Sequence, residues 1–541
     1  MTIASLRKLG QFGVITDVDP FDLPLGTFTM SLNARFEDSR ISRGPVFNSG
    51  GALSNTSPQY AVSYKVLGGT NSFIICNLDG TIQSWTPGSA QTTLTAPGWT
   101  PATYNQPVTG CVVNNLVYLN RPDRQPWFMQ KGGAAFAVLP VWTSSWRCQA
   151  MRSFNGQIVA LNVTQAGIQY PTMVAWSDFT VWNATPGYWT AAPTNSAGSN
   201  VLSDMADPLI DGMALRNNFM LYSQMETWGM TPTGDNSVFS FQRLFDNGWG
   251  MISQNCGAEV NNQHYVLGLD KVWKHDGFTP QDICSGRVKS FIYNNMVKAD
   301  ASQFFTVHQP RNNEVMFCYR STDPFCYFPI QGTNNYQGCN RAAVFNYRSE
   351  AWYFYDLPYV TSAGFSSPQP GATYLDESST SFASIGGSYS TYGDASKLCL
   401  YMTINGTSGA AAIDSYELPN SVYASGLIDA PRTAPVSLQI SQVNLDELGA
   451  KLRGYKVLKS IYPEGRIDPG APPLMFNFGS SDYTNDPKPM DGTAMSFDGS
   501  SLYKLDYMAA GRFLSMKVTF NDYRNFTLSG LDADFEITGN R

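Results

Sequence analysis

Few residues in this chain are placed to do chemistry. Three histidines, His264, His275 and His308, are its only imidazoles. None belongs to an HExxH pair, and no GxSxG elbow or Walker A loop accompanies them. His264 follows an Asn-Asn turn and reads as a turn-proximal surface residue. His275, in VWKHDGFTP, precedes another turn and reads as structural. Asp17, Asp19 and Asp22 offer the hard oxygens that calcium prefers, but the glycine and closing glutamate of an EF-hand loop are missing, so they read as a solvated turn. Asp532, Asp534 and Glu536 alternate along one strand, which puts them on one face; a polar outer sheet face is the preferred reading over a metal or acid pair. Ser5 and Lys8 match SxxK at the N-terminus, a match that chance explains. Nine cysteines are scattered without CxxC spacing. Cys318, Cys326 and Cys339 cluster, but at no common zinc spacing, and reduced thiols are expected. The chain is therefore expected to carry no cofactor, no metal and no catalytic site.

The elements around these residues are strands. CVVNNLVYLN from Cys111, RSFNGQIVAL from Arg152, LRNNFMLYS from Leu215, EVNNQHYVLG from Glu259 and PRNNEVMFCY from Pro310 share one plan. Each joins two alternating apolar runs through an Asn-rich turn. Asn and Gly tolerate the positive φ of a type I′ hairpin, and the flanking Val, Ile, Tyr and Phe form strands. Hairpins recurring at this interval predict an all-β fold, with a β-propeller as its main body. A propeller invites comparison with sialidases, but NLDGTIQSW has its Asp and Gly adjacent, which is the wrong spacing for their Asp-box. Two carboxylates of a glycosidase can still escape a spacing argument.

Composition agrees with large buried or interfacial surfaces: 14% of residues are charged and 13% aromatic, with a net charge of −7. No basic stripe marks a free-standing nucleic-acid clamp. The N-terminus shows no apolar signal-peptide core and no run reaches membrane-spanning length, so synthesis in the cytoplasm and no membrane-spanning segment are expected.

Three parts are expected: an extended N-terminal arm over 1–50, where Pro20, Pro24 and Gly26 oppose a helix; the propeller over 51–425; and a β-sandwich-like domain over 426–541, after a Pro- and Gly-punctuated break at 420–435. LDELGAKL at Leu445 is the one helix candidate. MVAWSDFTVWNATPGYWTAAPTNSAG reads as a long loop folded over the blades, with Trp176, Trp182 and Trp189 pinning it to the propeller or to a neighbouring subunit. A sugar-stacking platform is the alternative role for these three.

Four passages carry a family resemblance. DVDPFDLPLGTFTMSLNARFEDSRISRGP opens the chain; VAWSDFTVWNATPGYW precedes Ala197-Gly198; WKHDGFTPQDI starts at Trp273; GRFL from Gly511 and LSGLDADFEITGNR close it. Their order resembles the tail hub, or nozzle, proteins of short-tailed bacteriophages, also labelled packaged-DNA stabilisation proteins. The resemblance implies a homo-hexameric ring in the virion tail, synthesised in the host cytoplasm. It implies docking below portal and adaptor proteins, contact with tail fibres or spikes, and transient duplex DNA in the central channel. It brings no catalytic residues. Arg35, Arg40 and Arg43 in the arm are candidate interface residues beside the three tryptophans. The alternatives are a receptor-binding, lectin-like fibre or spike protein and a propeller glycosidase.

Overall fold

The computed structural model describes residues 2–52, 57–65, 71–86, 90–234, 237–330, 337–365, 399–404, 411–416, 434–443, 445, 454–484, 490 and 493–539. The break expected at 420–435 lies almost wholly outside them, as does all but Leu445 of the helix candidate.

The Asn turns form as their chemistry requires. Asn114 and Asn115, Asn155 and Gly156, and Asn261 and Asn262 all hold positive φ. The turn after Leu215 instead places Arg216 in the left-handed region, and the one at 310–313 adds a 3-10 turn before Asn313 at φ 56°.

These hairpins build four-stranded antiparallel sheets. Five stand alone: blade one over Pro58–Lys65 to Thr92–Leu94, blade two over Thr109–Val113 to Ala137–Val138, blade three over Arg147–Phe154 to Gly198–Val201, blade four over Asp211–Leu215 to Phe239–Phe245, and blade five over Gly257–Val260 to Pro280–Asp282. Blade six runs from Phe305–Gln309 to the first part of the long strand Ala351–Phe365. That strand then changes partner at Val360 and becomes the first strand of blade seven, followed by Cys399–Ile404 and Ala411–Tyr416. Blade seven takes its fourth strand, Phe47–Ala52, from the start of the chain. Among the described residues the ring thus has seven blades and is latched by the N-terminal segment. Ser362 Oγ accepts from Ala61 N–H at 3.2 Å across the closing seam.

The inner strands crowd together. A Cβ at Gly212 would sit 2.5 Å from the Phe219 ring, and one at Gly257 would sit 2.4 Å from Met213 Cε. At Gly212 the ring and the Met220 carbonyl leave room only for a bare backbone, whereas the Met213 chain end beside Gly257 can give way.

The second body is a two-sheet sandwich. One sheet orders Ala34–Glu37, Arg40–Arg43, Phe526–Gly539, Tyr455–Ile467 and Leu505–Gly511, with Thr2–Arg7 also paired to Phe526–Gly539. The other continues blade six outward through Met30–Leu32, Val436–Val443, Phe513–Phe520, Leu474–Ser481 and Met495–Phe497. Leu438, Phe476, Val518, Leu528 and Phe535 fill the core between them, and this core is continuous with that of blades five and six. Residues 1–50 therefore differ from the expected extended arm. Alternating runs such as Ala34–Glu37 satisfy their backbone groups in the sandwich, and the Pro and Gly residues only shape the turns between strands.

Candidate functional site

The propeller axis holds a cavity of about 660 Å³ lined by the first strands of all seven blades, among them Tyr60, Cys111, Arg152, Asp211, Thr306 and Ser362. It is much smaller than a duplex-wide bore. Arg152 of blade three donates from Nε and Nη2 to Asp211 of blade four at 2.7 and 2.6 Å, and from Nη2 to Asn255 Oδ1 at 2.8 Å. Asp211 also accepts from the N–H groups of Gly212 and Asn255 at 2.8 and 2.9 Å. Asn255 in turn donates to Val108 O at 3.2 Å and accepts from Thr306 N–H at 2.8 Å. The pair, with Asn255 as its hub, thus links segments of blades two to six near the axis, and its charges cancel. Burial pushes Tyr60 up to about 12 and the Cys111 thiol up to about 12, so both stay neutral.

His264 is buried between blades four and five, which corrects its reading as a surface residue. It stands in register with His275, and Tyr222 caps both from blade four. Tyr222 Oη lies 2.6 Å from His264 Nδ1 and 2.7 Å from His275 Nε2. His264 Nε2 faces Ala214 O at 2.8 Å, and His275 Nδ1 receives the Gly277 N–H at 3.1 Å. These partners fix the tautomers: His275 Nε2–H donates to Tyr222, whose O–H donates to His264 Nδ1. Desolvation lowers His264 to about 4 and, with the neighbouring His264, lowers His275 to about 3. Trp273 stacks on His275 at 5.0 Å. None of the three lines the axial cavity. The relay is a neutral seam. Its sequence signal was the apolar setting of His264 in HYVLGL, which favours an inward face.

The arm arginines divide. Arg35 is 8% exposed and donates from Nε to Glu314 at 2.7 Å, while Tyr353 and Tyr355 donate to the same carboxylate oxygen at 2.9 and 2.8 Å. Arg43 is 4% exposed and donates to the carbonyls of Asn33, Ala434 and Asp522. Asn33 meanwhile binds Asp356, which with Asp323 flanks buried Arg341. Arg35 welds the sandwich to blade six, and Arg43 ties segments of the sandwich to one another, all inside one chain; a buried guanidinium needs such pairing. Arg40 alone is exposed.

The tryptophans divide as well. Trp176 ends the third strand of blade three and packs against Phe239 at 5.2 Å, with Nε1 donating to Ser196 O at 2.9 Å. Trp189 is buried edge-on against Trp142 at 4.6 Å. Both hold the loop between the last two strands of blade three. Asn114 Nδ2 grips Thr180 O at 2.8 Å, and Asn183 N–H donates to Asn114 O at 3.0 Å, so the loop lies over the blade-two turn. Trp182 is 61% exposed and makes no such anchor; Phe179, Val181 and Tyr188 are exposed with it.

Other candidates fall into ordinary roles. Asp17 accepts from Ser290 N–H at 3.1 Å in the first turn of the helix Lys289–Asn295. Asp532 pairs with Arg7 at 3.1 Å and Glu536 with Lys459 at 2.6 Å. The described cysteines, including Cys318, Cys326 and Cys339, are buried and in no disulfide. Among the described residues no His, Cys, Asp and Glu group is arranged to hold a metal, and no helix is long and apolar enough to cross a membrane.

No family model matches the chain, and no curated protein does. Among solved structures it is similar to BBS1N, crystallised in complex with ARL6DN, at 13% identity and a TM-score of 0.37, over 69% of this chain and 96% of that one. It is also similar to the computationally designed Ika8 protein at 9% identity and a TM-score of 0.36, over 69% and 100%. The propeller is defined by the sheets themselves, and these likenesses carry no argument about activity.

Proposed function

We propose that this chain is a non-enzymatic structural subunit of the tail hub, or nozzle, of a short-tailed bacteriophage. It acts as a homo-hexameric ring in the virion tail, below portal and adaptor proteins and in contact with fibres or spikes, and duplex DNA leaves through the ring's centre. The observation that carries this reading is what the resembling passages do. The opening passage supplies the strands Met30–Leu32, Ala34–Glu37 and Arg40–Arg43 with buried Arg35 and Arg43. The closing passage supplies Phe526–Gly539, to which three other strands pair. WKHDGFTPQDI supplies the last two strands of blade five. These three passages are spent on framework, which suits a scaffold. The propeller axis is small and crossed by an ion pair, so in this reading the DNA channel lies between copies.

The exposed Phe179, Trp182 and Tyr188 favour a second reading, a receptor-binding, lectin-like protein, because stacked aromatic faces suit sugar rings. Deletion separates the two. Virions lacking a hub should package DNA and then lose it, or assemble without fibres. Particles that keep their genome and fibres, and fail only in adsorption, would overturn the hub reading.

A further inference from the structure

The outer face of the first sandwich sheet carries a cavity of about 360 Å³ lined by Arg40, Glu464, Gly465, Arg466, Thr527 and Ser529. Strand register creates it. Thr527 pairs with Ser42 on one side and Arg466 on the other, and Leu528 pairs with Ile41 and Gly465. Residues directly opposite point to the same side of a sheet. Phe526 and Leu528 are buried in the core, so Thr527 and Ser529 face outward. Arg40 and Arg466 flank them from the two neighbouring strands.

Both arginines are exposed, and among the described residues neither guanidinium has a hydrogen bond or an ion pair. Glu37 stands opposite Arg40 in its hairpin, but the cations acting on that carboxyl are Arg35 and Arg348. Glu464, the carboxylate at the cavity, is ion-paired with Arg7, which also holds Asp532. Ser529 Oγ donates to Glu464 O at 3.2 Å, and the Thr527 hydroxyl has no partner among the described residues. The cavity therefore offers two uncommitted guanidinium forks, a free hydroxyl donor and a neutralised acid.

We propose that Arg40, Arg466 and Thr527 bind a phosphate-type oxyanion. Planar guanidinium forks pair with tetrahedral oxyanions through two parallel N–H donors each, which a lone ammonium cannot do. The inference stands apart from the proposed hub function. Free phosphate and a nucleic-acid phosphodiester share this chemistry, and the test distinguishes them.

The test is calorimetric titration of the full chain at low ionic strength, with inorganic phosphate in one arm and a short DNA duplex in the other. Saturable binding in either arm is expected. Arg40→Ala with Arg466→Ala should weaken it at least about tenfold, the loss of one or two charge-assisted hydrogen bonds. Circular dichroism and the melting temperature should stay unchanged, since both side chains are exposed. Arg348→Ala, also exposed but paired with Asp38, should leave binding intact. If the source is nucleic acid, the duplex binds more tightly than phosphate, with a salt slope that shrinks in the double variant; if it is free phosphate, the duplex adds nothing. Absence of saturable binding in both arms, or binding unchanged in a folded double variant, would overturn the proposal.

Discussion

Acidification should open the seam between blades four and five. The perturbation is a shift from pH 7.5 to pH 5, a window above most carboxylate titration. His264 and His275 are lowered by burial to about 4 and about 3, against 6.5 in an unfolded chain. A base whose folded pKa is depressed contributes its full stability above pH 6.5. That stability is lost as pH falls toward the folded value, because the unfolded chain takes up protons that the folded one refuses. At pH 5 each histidine then costs about 2 kcal/mol, so the pair costs about 4 kcal/mol. Geometry gives the same sign. A proton on His275 Nδ1 would face the Gly277 N–H, and one on His264 Nδ1 would face the Tyr222 hydroxyl hydrogen. Asp276, which favours the charged His275, is half-buried, and its effect is smaller than those of burial and of His264, so it opposes only part of this. His308 is also lowered by burial and acts in the same direction, so the assay needs a control. Urea unfolding at half-unit pH steps should show the loss in the wild type and a flattened slope in His264→Gln/His275→Gln. A wild-type loss below about 1 kcal/mol, or an unchanged slope in the double variant, would refute the relay.

Further outcomes follow from the same packing. Arg35→Ala leaves Glu314 buried without its cation and should cost about 3–5 kcal/mol in denaturant unfolding, whereas Arg40→Ala should stay within about 0.5 kcal/mol. Trp189→Ala empties a buried site beside Trp142 and should cost about 3–5 kcal/mol, while Trp182→Ala should leave the melting curve within experimental scatter. Deleting residues 1–45 removes strands from both sandwich sheets and should yield an insoluble or dye-binding chain; a monodisperse truncated product with native circular dichroism would contradict the integrated arm.

The propeller was legible because its signals are local. Asn-Asn and Asn-Gly turns with alternating strands report hairpins directly, and three of the five quoted turns hold both central residues at positive φ. Latching of blade seven by Phe47–Ala52 was not legible, since nothing near residue 50 encodes a partner beyond residue 410. The arm misled for the same reason. ARFE and RISR look like short polar segments until Glu314, itself held by the Tyr353 and Tyr355 hydroxyls, arrives from blade six to accept from Arg35. Trp176, Trp182 and Trp189 all stand among turn formers, which predicts three pins for the loop; Trp176 and Trp189 are buried against the blade. Trp182 has the same type and spacing, yet it points to solvent. Facing within an irregular loop has no period to read.

The hub proposal rests most directly on assembly. Native mass spectrometry of the full chain, combined with electron microscopy of tails, measures copy number and the central opening together. The account predicts six copies in a closed ring whose hole, formed between subunits, admits a DNA duplex. A monomer or trimer on the mature tail, or a ring whose only openings are the propeller axes, would contradict it.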